Sequence, residues 1–218
     1  MKIVSFGDVH MATRNLDRMT EVMRDAELVI VSGDLTNFGG ADDARKVLEA
    51  VRSACPKVLA LPGNLDQPDV MPFLENEGVA LHGKGMIVGS VAILGCGGSN
   101  LTPFHTPTEF TEEEIYDTLM RGYREVAGHR PLLMICHTPP RETKCDRIRS
   151  GQSVGSTAAR RFIEEIAPDA CISGHIHESA GTDRIGSTIV LNAGPFSAGG
   201  YIVVRSNGSA LSATLEFL

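Results

Sequence analysis

Ile3-Val4-Ser5-Phe6-Gly7-Asp8-Val9-His10 is a short apolar run that ends on a glycine and then presents two polar side chains at i and i+2. A run of this length bounded by a turn residue reads as a buried strand. Working outward, residues 15–26 read as a helix, 28–31 as a strand, 41–54 as a helix and 58–61 as a strand. That alternation predicts an α/β sheet with parallel connections. In the 41–54 segment Val47, Leu48 and Val51 share one face opposite Asp42, Asp43, Arg45, Lys46 and Glu49, so one side packs on the sheet. Residues 86–88 and 91–94 flank Gly89-Ser90, which is hairpin chemistry and adds antiparallel pairs.

A loop rich in Gly, Pro and Thr over 95–108 leads to Thr111-Glu112-Glu113-Glu114. Thr111 reads as an N-cap with Glu114 as its capping-box partner, for a helix running to residue 127. The three glutamates read as a solvated first turn that matches the helix dipole. A strand over 132–136, a polar segment over 138–156, a helix over 157–166 and a strand over 170–173 follow. The remainder, 188–191, 201–205 and 211–218, is strand-like with Gly-rich turns. With no linker, repeat or low-complexity stretch between these parts, the expectation is one domain over 1–218.

Composition narrows the function classes. A chain of 218 residues with 42% hydrophobic and 22% charged residues is neither disordered nor fibrous. Its net charge of -7 has the wrong sign for holding a nucleic-acid polymer by bulk electrostatics, so an anionic substrate needs a local device. No stretch reaches the roughly 20 apolar residues of a membrane span, and the first residues lack a signal-peptide profile. No membrane partner and a cytoplasmic location are expected. The five cysteines are odd in number and irregularly spaced, so neither disulfides nor a Cys-only zinc site is expected.

Five apolar runs end alike: Gly7-Asp8-Val9-His10, Gly33-Asp34, Gly63-Asn64, Cys136-His137 and Gly174-His175-Ile176-His177. Open α/β sheets bind ligands outside the carboxyl ends of their strands, so these side chains should meet on one rim. A lone Gly-Asp pair usually makes a turn, and His175-x-His177 alone also fits a hydrogen-bonded loop. In extended backbone, however, Asp8/His10 and His175/His177 each point to one side and can share a metal ion. Four of the seven histidines fall on these strand ends, which favours a metal centre.

In this order the blocks resemble the signature of the calcineurin-like metallophosphoesterase superfamily: Asp-x-His, Gly-Asp, Gly-Asn-His-Asp/Glu, a lone His, then Gly-His-x-His. The resemblance implies an α/β fold, a four-layer αββα sandwich of two mixed β-sheets flanked by helices. It also implies that Asp8, His10, Asp34 and His177 hold one divalent ion, that Asp34, Asn64, His137 and His175 hold a second, and that Asp34 bridges them. Two such ions about 3.5–4 Å apart neutralise phosphate oxygens and turn a shared water into hydroxide, which would attack phosphorus in line. A shell of imidazole with carboxylate or amide oxygen favours Mn, Fe, Zn, Co or Ni over Mg. Mn is the ion expected to support turnover in vitro.

One position departs from the signature. The residue after Asn64 is Leu65, where the family commonly has a histidine that assists the leaving group. General acid catalysis is worth roughly 100- to 10,000-fold. Either another group substitutes, or esters with good leaving groups are preferred. Asp66 is expected to orient a metal ligand from behind. His105 is either a solvated loop residue or a group hanging over the metals in the missing acid's role, while His129 reads as a helix-end surface residue and His82 lies outside the signature. The 138–156 segment, with Arg141, Lys144, Arg147 and Arg149, is either an exposed mobile loop or a lid whose cations, Arg141 and Lys144 among them, grip substrate phosphate. The expected function is a dinuclear metal-dependent hydrolase of a phosphodiester, or of an activated phosphomonoester. The expected partner is a small or nucleotide-like phosphate ester. The other reading is a protein-binding scaffold of the same fold with little catalysis.

Overall fold

The computed structural model describes residues 1–218. Its first half runs β1 (Lys2–Phe6), α1 (Arg14–Arg24), β2 (Leu28–Val31), α2 (Ala41–Ala54), β3 (Val58–Ala60), α3 (Val70–Asn76), β4 (Gly85–Val88), β5 (Val91–Cys96), β6 (Ser99–Asn100) and β7 (Glu109–Phe110). Then come α4 (Glu112–Val126), β8 (Leu132–Cys136), α5 (Thr157–Ile166), β9 (Ala170–Ser173), β10 (Gly181–Ile185), β11 (Thr188–Asn192), β12 (Gly200–Ser206) and β13 (Leu211–Phe217). One sheet has the order β13-β12-β1-β2-β3, with β1, β2 and β3 mutually parallel. The other has the order β10-β11-β9-β8-β5-β4, parallel from β5 through β11 and antiparallel at both edges.

Successive side chains of a strand point to opposite faces, and here that alternation produces three apolar layers. Ile3, Ile30 and Leu59 of the first sheet meet Ile93, Ile135 and Ile172 of the second between the sheets. The intervening residues Val4, Val29 and Val203 pack outward on Met19, Met23 and Val47 of α1 and α2. On the far side Leu94, Met134 and Cys171 pack on Leu119, Phe162 and Ile163 of α4 and α5. The result is a four-layer αββα sandwich of two mixed sheets. Ile135 is fully buried in the central layer, a place where truncation to alanine costs about 2–5 kcal/mol.

The 89–90 hairpin forms, with Val88 opposite Val91. The capping box at Thr111 also forms, its backbone N–H donating to Glu114 at 2.8 Å. Several features differ from the sequence reading. Glu112 is not simply solvated: its carboxylate accepts from the Ser156 hydroxyl at 2.6 Å and the Ala158 N–H at 2.8 Å, so it caps α5 from the neighbouring helix. Helix α3 was hidden because it is only 7 residues long and contains Pro72, tolerable in a first turn where the missing N–H has no intrahelical partner. Strand β10, Gly-Thr-Asp-Arg-Ile, is a polar edge strand and carries no apolar period.

The 138–156 segment is closed around one buried carboxylate. The buried Asp146 carboxylate gathers the N–H groups of Glu142, Thr143 and Gly155, each at 3.0 Å, and the Ser153 hydroxyl. All five cysteines are buried and free, and no helix is long and apolar enough to cross a membrane.

His82 links this packing to pH. Its Nδ1 accepts the Gly97 N–H at 3.1 Å, a role only the unprotonated nitrogen can fill. Burial, assisted by the Arg121 guanidinium, lowers its pKa from 6.5 to about 4. Between those values the unfolded chain binds a proton that the native one does not, so stability rises with pH across the window. His82 therefore contributes in full above about pH 6.5 and loses that contribution as the pH falls toward 4. Thermal unfolding should show a lower Tm at pH 5 than at pH 7, with a smaller drop in His82→Asn; equal drops would assign the effect elsewhere.

Candidate metal centre

The loops after β1, β2, β3, β8 and β9 leave the two sheets at the same end of the sandwich. Their turns are so tight that four of the polar residues adopt left-handed backbone: Asp8 (φ 51°), His10 (44°), Asp34 (48°) and His175 (66°). Such conformations cost about 1–3 kcal/mol each and persist where surrounding contacts over-determine them. Glycine allows the turns to nest. A Cβ on Gly63 would lie 2.0 Å from Asp34 Oδ1, and one on Gly33 would lie 2.2 Å from His137 Nδ1.

Asp8 and Asp34 are 1% and 2% exposed, and their carboxylates face the imidazoles. Asp8 accepts the His175 N–H at 3.1 and 3.2 Å and lies 3.2 Å from His177 Nε2. His10 Nε2 approaches His177 Nε2 at 3.1 Å and both aspartates at 3.8 Å. His137 Nε2 sits 3.5 Å from Asp34 Oδ2 and 3.3 Å from Asn64 Oδ1, while His175 Nδ1 is 2.8 Å from that same amide oxygen. Asp8, His10 and His177 form one group able to hold a metal ion, and Asp8, Asp34 and His137 another.

The tautomers suit this role. His137 Nδ1 lies 2.9 Å from the Ser32 carbonyl and His10 Nδ1 lies 3.2 Å from that of Thr36. Donation to those carbonyls puts the proton on Nδ1 and turns each Nε2 lone pair inward. Burial pushes the Asp34 carboxyl up, but His137 and His10 outweigh it and hold the group ionised, while Asp34 in turn raises His137 to about 9 against its own burial, so an ion taking the inward lone pair of His137 Nε2 would displace a proton from it. Burial, with help from His137, lowers His175 to about 4 and keeps it a neutral imidazole. A carboxylate, imidazole and amide set directed at common points fits divalent transition-metal ions.

Two supports hold the centre from outside. Buried Asp66 accepts the N–H groups of Gly63 (2.8 Å), Leu35 (3.1 Å) and Thr36 (2.8 Å), tying the turn of Asp34 to that of Asn64. The other support was not evident in the sequence. Asn64 Nδ2 donates to Thr106 Oγ1 at 3.0 Å, and that hydroxyl donates to Glu109 at 2.6 Å, which fixes the amide with its oxygen inward. Burial raises the Glu109 carboxyl, but donors from Thr102 and Thr106 outweigh it and bring it to about 2. Two threonines and a glutamate in a loop carry no spacing that announces such a hub.

A cleft of about 750 Å³ opens beside Asn64, His175 and His177. Arg141 lines it. Lys144 and His105 do not: Lys144 sits on a short helical turn where its N–H donates to Asp183, and His105 is an exposed tip beyond the cleft wall.

The family model described as calcineurin-like phosphoesterase matches residues 1–179. The chain belongs to this family. Among its relatives, the uncharacterized protein MJ1162 of Methanocaldococcus jannaschii is 36% identical over 203 residues, covering 90% of this chain and 89% of that protein. The fold matches TT1561 of Thermus thermophilus with a TM-score of 0.75 at 15% identity, over 98% of this chain and 97% of that one. It also matches a dimetal phosphatase from Danio rerio with a TM-score of 0.67 at 11% identity, over 100% and 96%. At these identities the two structural likenesses are of fold alone.

The Thr106 hydroxyl gives the centre a direct test. Mn titrated into the metal-free protein should raise Tm, because ions that bind only the folded chain stabilise it. In Thr106→Val the Asn64 amide loses its anchor, and calorimetry should show Mn affinity weakened by about 10- to 100-fold. Unchanged affinity would mean that Asn64 is oriented without Thr106.

Proposed function

We propose that this calcineurin-like phosphoesterase is a dinuclear metal-dependent hydrolase of small or nucleotide-like phosphodiesters, with residues 1–218 forming one domain around the centre. The observation that carries the reading is the convergence of seven polar side chains from five strand ends beside an open cleft. In this reading Asp8, His10, Asp34 and His177 hold one ion, and Asp34, Asn64, His137 and His175 hold the other. When bound, the ions supply Lewis acidity toward phosphate oxygens and a water acidic enough to act as nucleophile near neutral pH.

The chain's own residues do the rest. Asp34, 3.8 Å from His10 Nε2 and 3.5 Å from His137 Nε2, stays ionised and would supply negative charge to ions held on either side of it. His137 and His10 are locked by their backbone acceptors, which keeps the centre from rearranging as substrate enters. Asn64 presents its oxygen inward because Thr106 holds its nitrogen. Arg141 stands in the cleft wall, placed to take a phosphate oxygen in a charge-assisted hydrogen bond. Leu65 offers no side-chain proton, and its N–H is committed to Asp34 at 2.8 Å. Departing groups that are stable as anions are therefore the preferred ones.

Initial rates with bis-p-nitrophenyl phosphate and p-nitrophenyl phosphate test the reading. Turnover should require Mn, disappear with EDTA, favour the diester, and fall by at least about 100-fold in His175→Ala, as expected when a metal ligand is removed. Absence of turnover in Mn-loaded protein would move weight to the scaffold reading.

A further inference from the structure

The cleft beside the metal centre is lined by both apolar and cationic side chains. Leu101 and Phe104 are 65% and 82% exposed, two of the five large apolar side chains this chain leaves in solvent. Both line the cleft, as do Ile148 and Val154. Arg141 and Arg149 line it too, and neither guanidinium has a hydrogen bond or ion pair within the chain, whereas Arg52, Arg160 and Arg161 are each paired to a glutamate. The apolar wall is not loose. Glu109 accepts from the Thr102 hydroxyl at 2.6 Å, the Phe104 N–H donates to that hydroxyl at 3.1 Å, and Asn100 Nδ2 donates to the Val154 carbonyl at 3.2 Å. A preorganised apolar surface in solvent that shares a cleft of ligand size with unpaired cations is built to receive a partner that is both apolar and anionic.

We propose that the cleft receives the departing half of a diphosphate diester: a planar apolar ring set against Leu101 and Phe104, and a second phosphate taken by Arg141 and Arg149. The inference rests on the phosphoesterase reading and narrows its substrate class. Hydrolysis forms a P–O bond from water and breaks the P–O bond to the second phosphate. The water's protons go to solvent and to the products, and nothing is oxidised or reduced. The leaving group is then a phosphate, whose second pKa is about 6, so it departs as an anion without a donated proton. That chemistry accounts for Leu65 standing where an acid would otherwise be needed.

ADP-ribose, a diphosphate diester with a planar base, is the probe, compared with bis-p-nitrophenyl phosphate, which has rings but only one phosphate. In Mn-loaded protein, Arg149→Ala should lower the ratio of kcat/KM for ADP-ribose over bis-p-nitrophenyl phosphate by about 10- to 100-fold, the worth of a charge-assisted hydrogen bond. Calorimetry of ADP with EDTA-treated protein should show affinity weakened about 5- to 100-fold in Phe104→Ala, the worth of stacking a base on an aromatic ring. Both side chains are exposed, so neither variant endangers folding. An unmoved ratio with unmoved ADP affinity, while His175→Ala still abolishes ester turnover, overturns this inference and leaves the phosphoesterase reading intact. ADP binding that depends on Phe104, with no ester turned over by the wild type, overturns the hydrolytic reading and retains the cleft as a binding site.

Discussion

Two carboxylates, Asp8 and Asp34, are buried close together at the end of the sandwich, and the surrounding structure is arranged to keep their charge there. Like charges withdrawn from water repel and lose solvation, and the chain answers with the imidazoles of His10, His137 and His177 and the N–H groups of Leu65 and His175. The neighbouring backbone complies at a cost: the turns go left-handed at four of these residues, and glycines clear the space beneath them. Asp66 binds the turns of Asp34 and Asn64 from below, and the Asp34 carboxylate itself holds the Leu65 N–H. The same local charge explains how a chain with an acidic balance can address an anion, provided cations intervene.

Much of this was legible in the sequence because strands impose a short period. Ile3, Val4 and Phe6 read as a buried strand, and the polar residues just past its end had to emerge at the sheet's carboxyl edge. The same logic located Asp34, Asn64, His137, His175 and His177. Less legible was whatever depended on contacts distant in sequence. Thr106 became important only when folding brought it against Asn64, and Glu112 became a cap only when α5 arrived beside α4. The polar 138–156 segment reads as either a mobile loop or a cationic lid, and the fold closes it around one buried carboxylate. Polarity signals exposure until a fold gives polar groups to one another. Lys144 and His105 show the converse: a place in a loop that follows a strand end did not bring either into the lining of the cleft.

The substitution at Leu65 and the character of the cleft point the same way. A centre without a proton donor at that position is poorly matched to alkoxide departure and well matched to a group that leaves as a stable anion. The guanidinium groups of Arg141 and Arg149, unpaired within the chain, stand where such an anion would need neutralising. Rigidity is as relevant as composition here, since a wall braced by Glu109 loses little freedom when a ligand covers it.

The centre draws Asp8, His10, Asp34 and Asn64 from one sheet and His137, His175 and His177 from the other. Asp8 and His177 touch although 169 residues separate them in the chain. During synthesis the donor set is therefore incomplete until most of the polypeptide has left the ribosome and the two sheets have docked. Metal capture becomes a late event in biogenesis, and a chain stalled or truncated before residue 177 exposes aspartates and histidines that have no common point to occupy. Metal content would then serve as a record of completed assembly, distinguishing finished molecules from those whose halves have folded but not yet closed on each other.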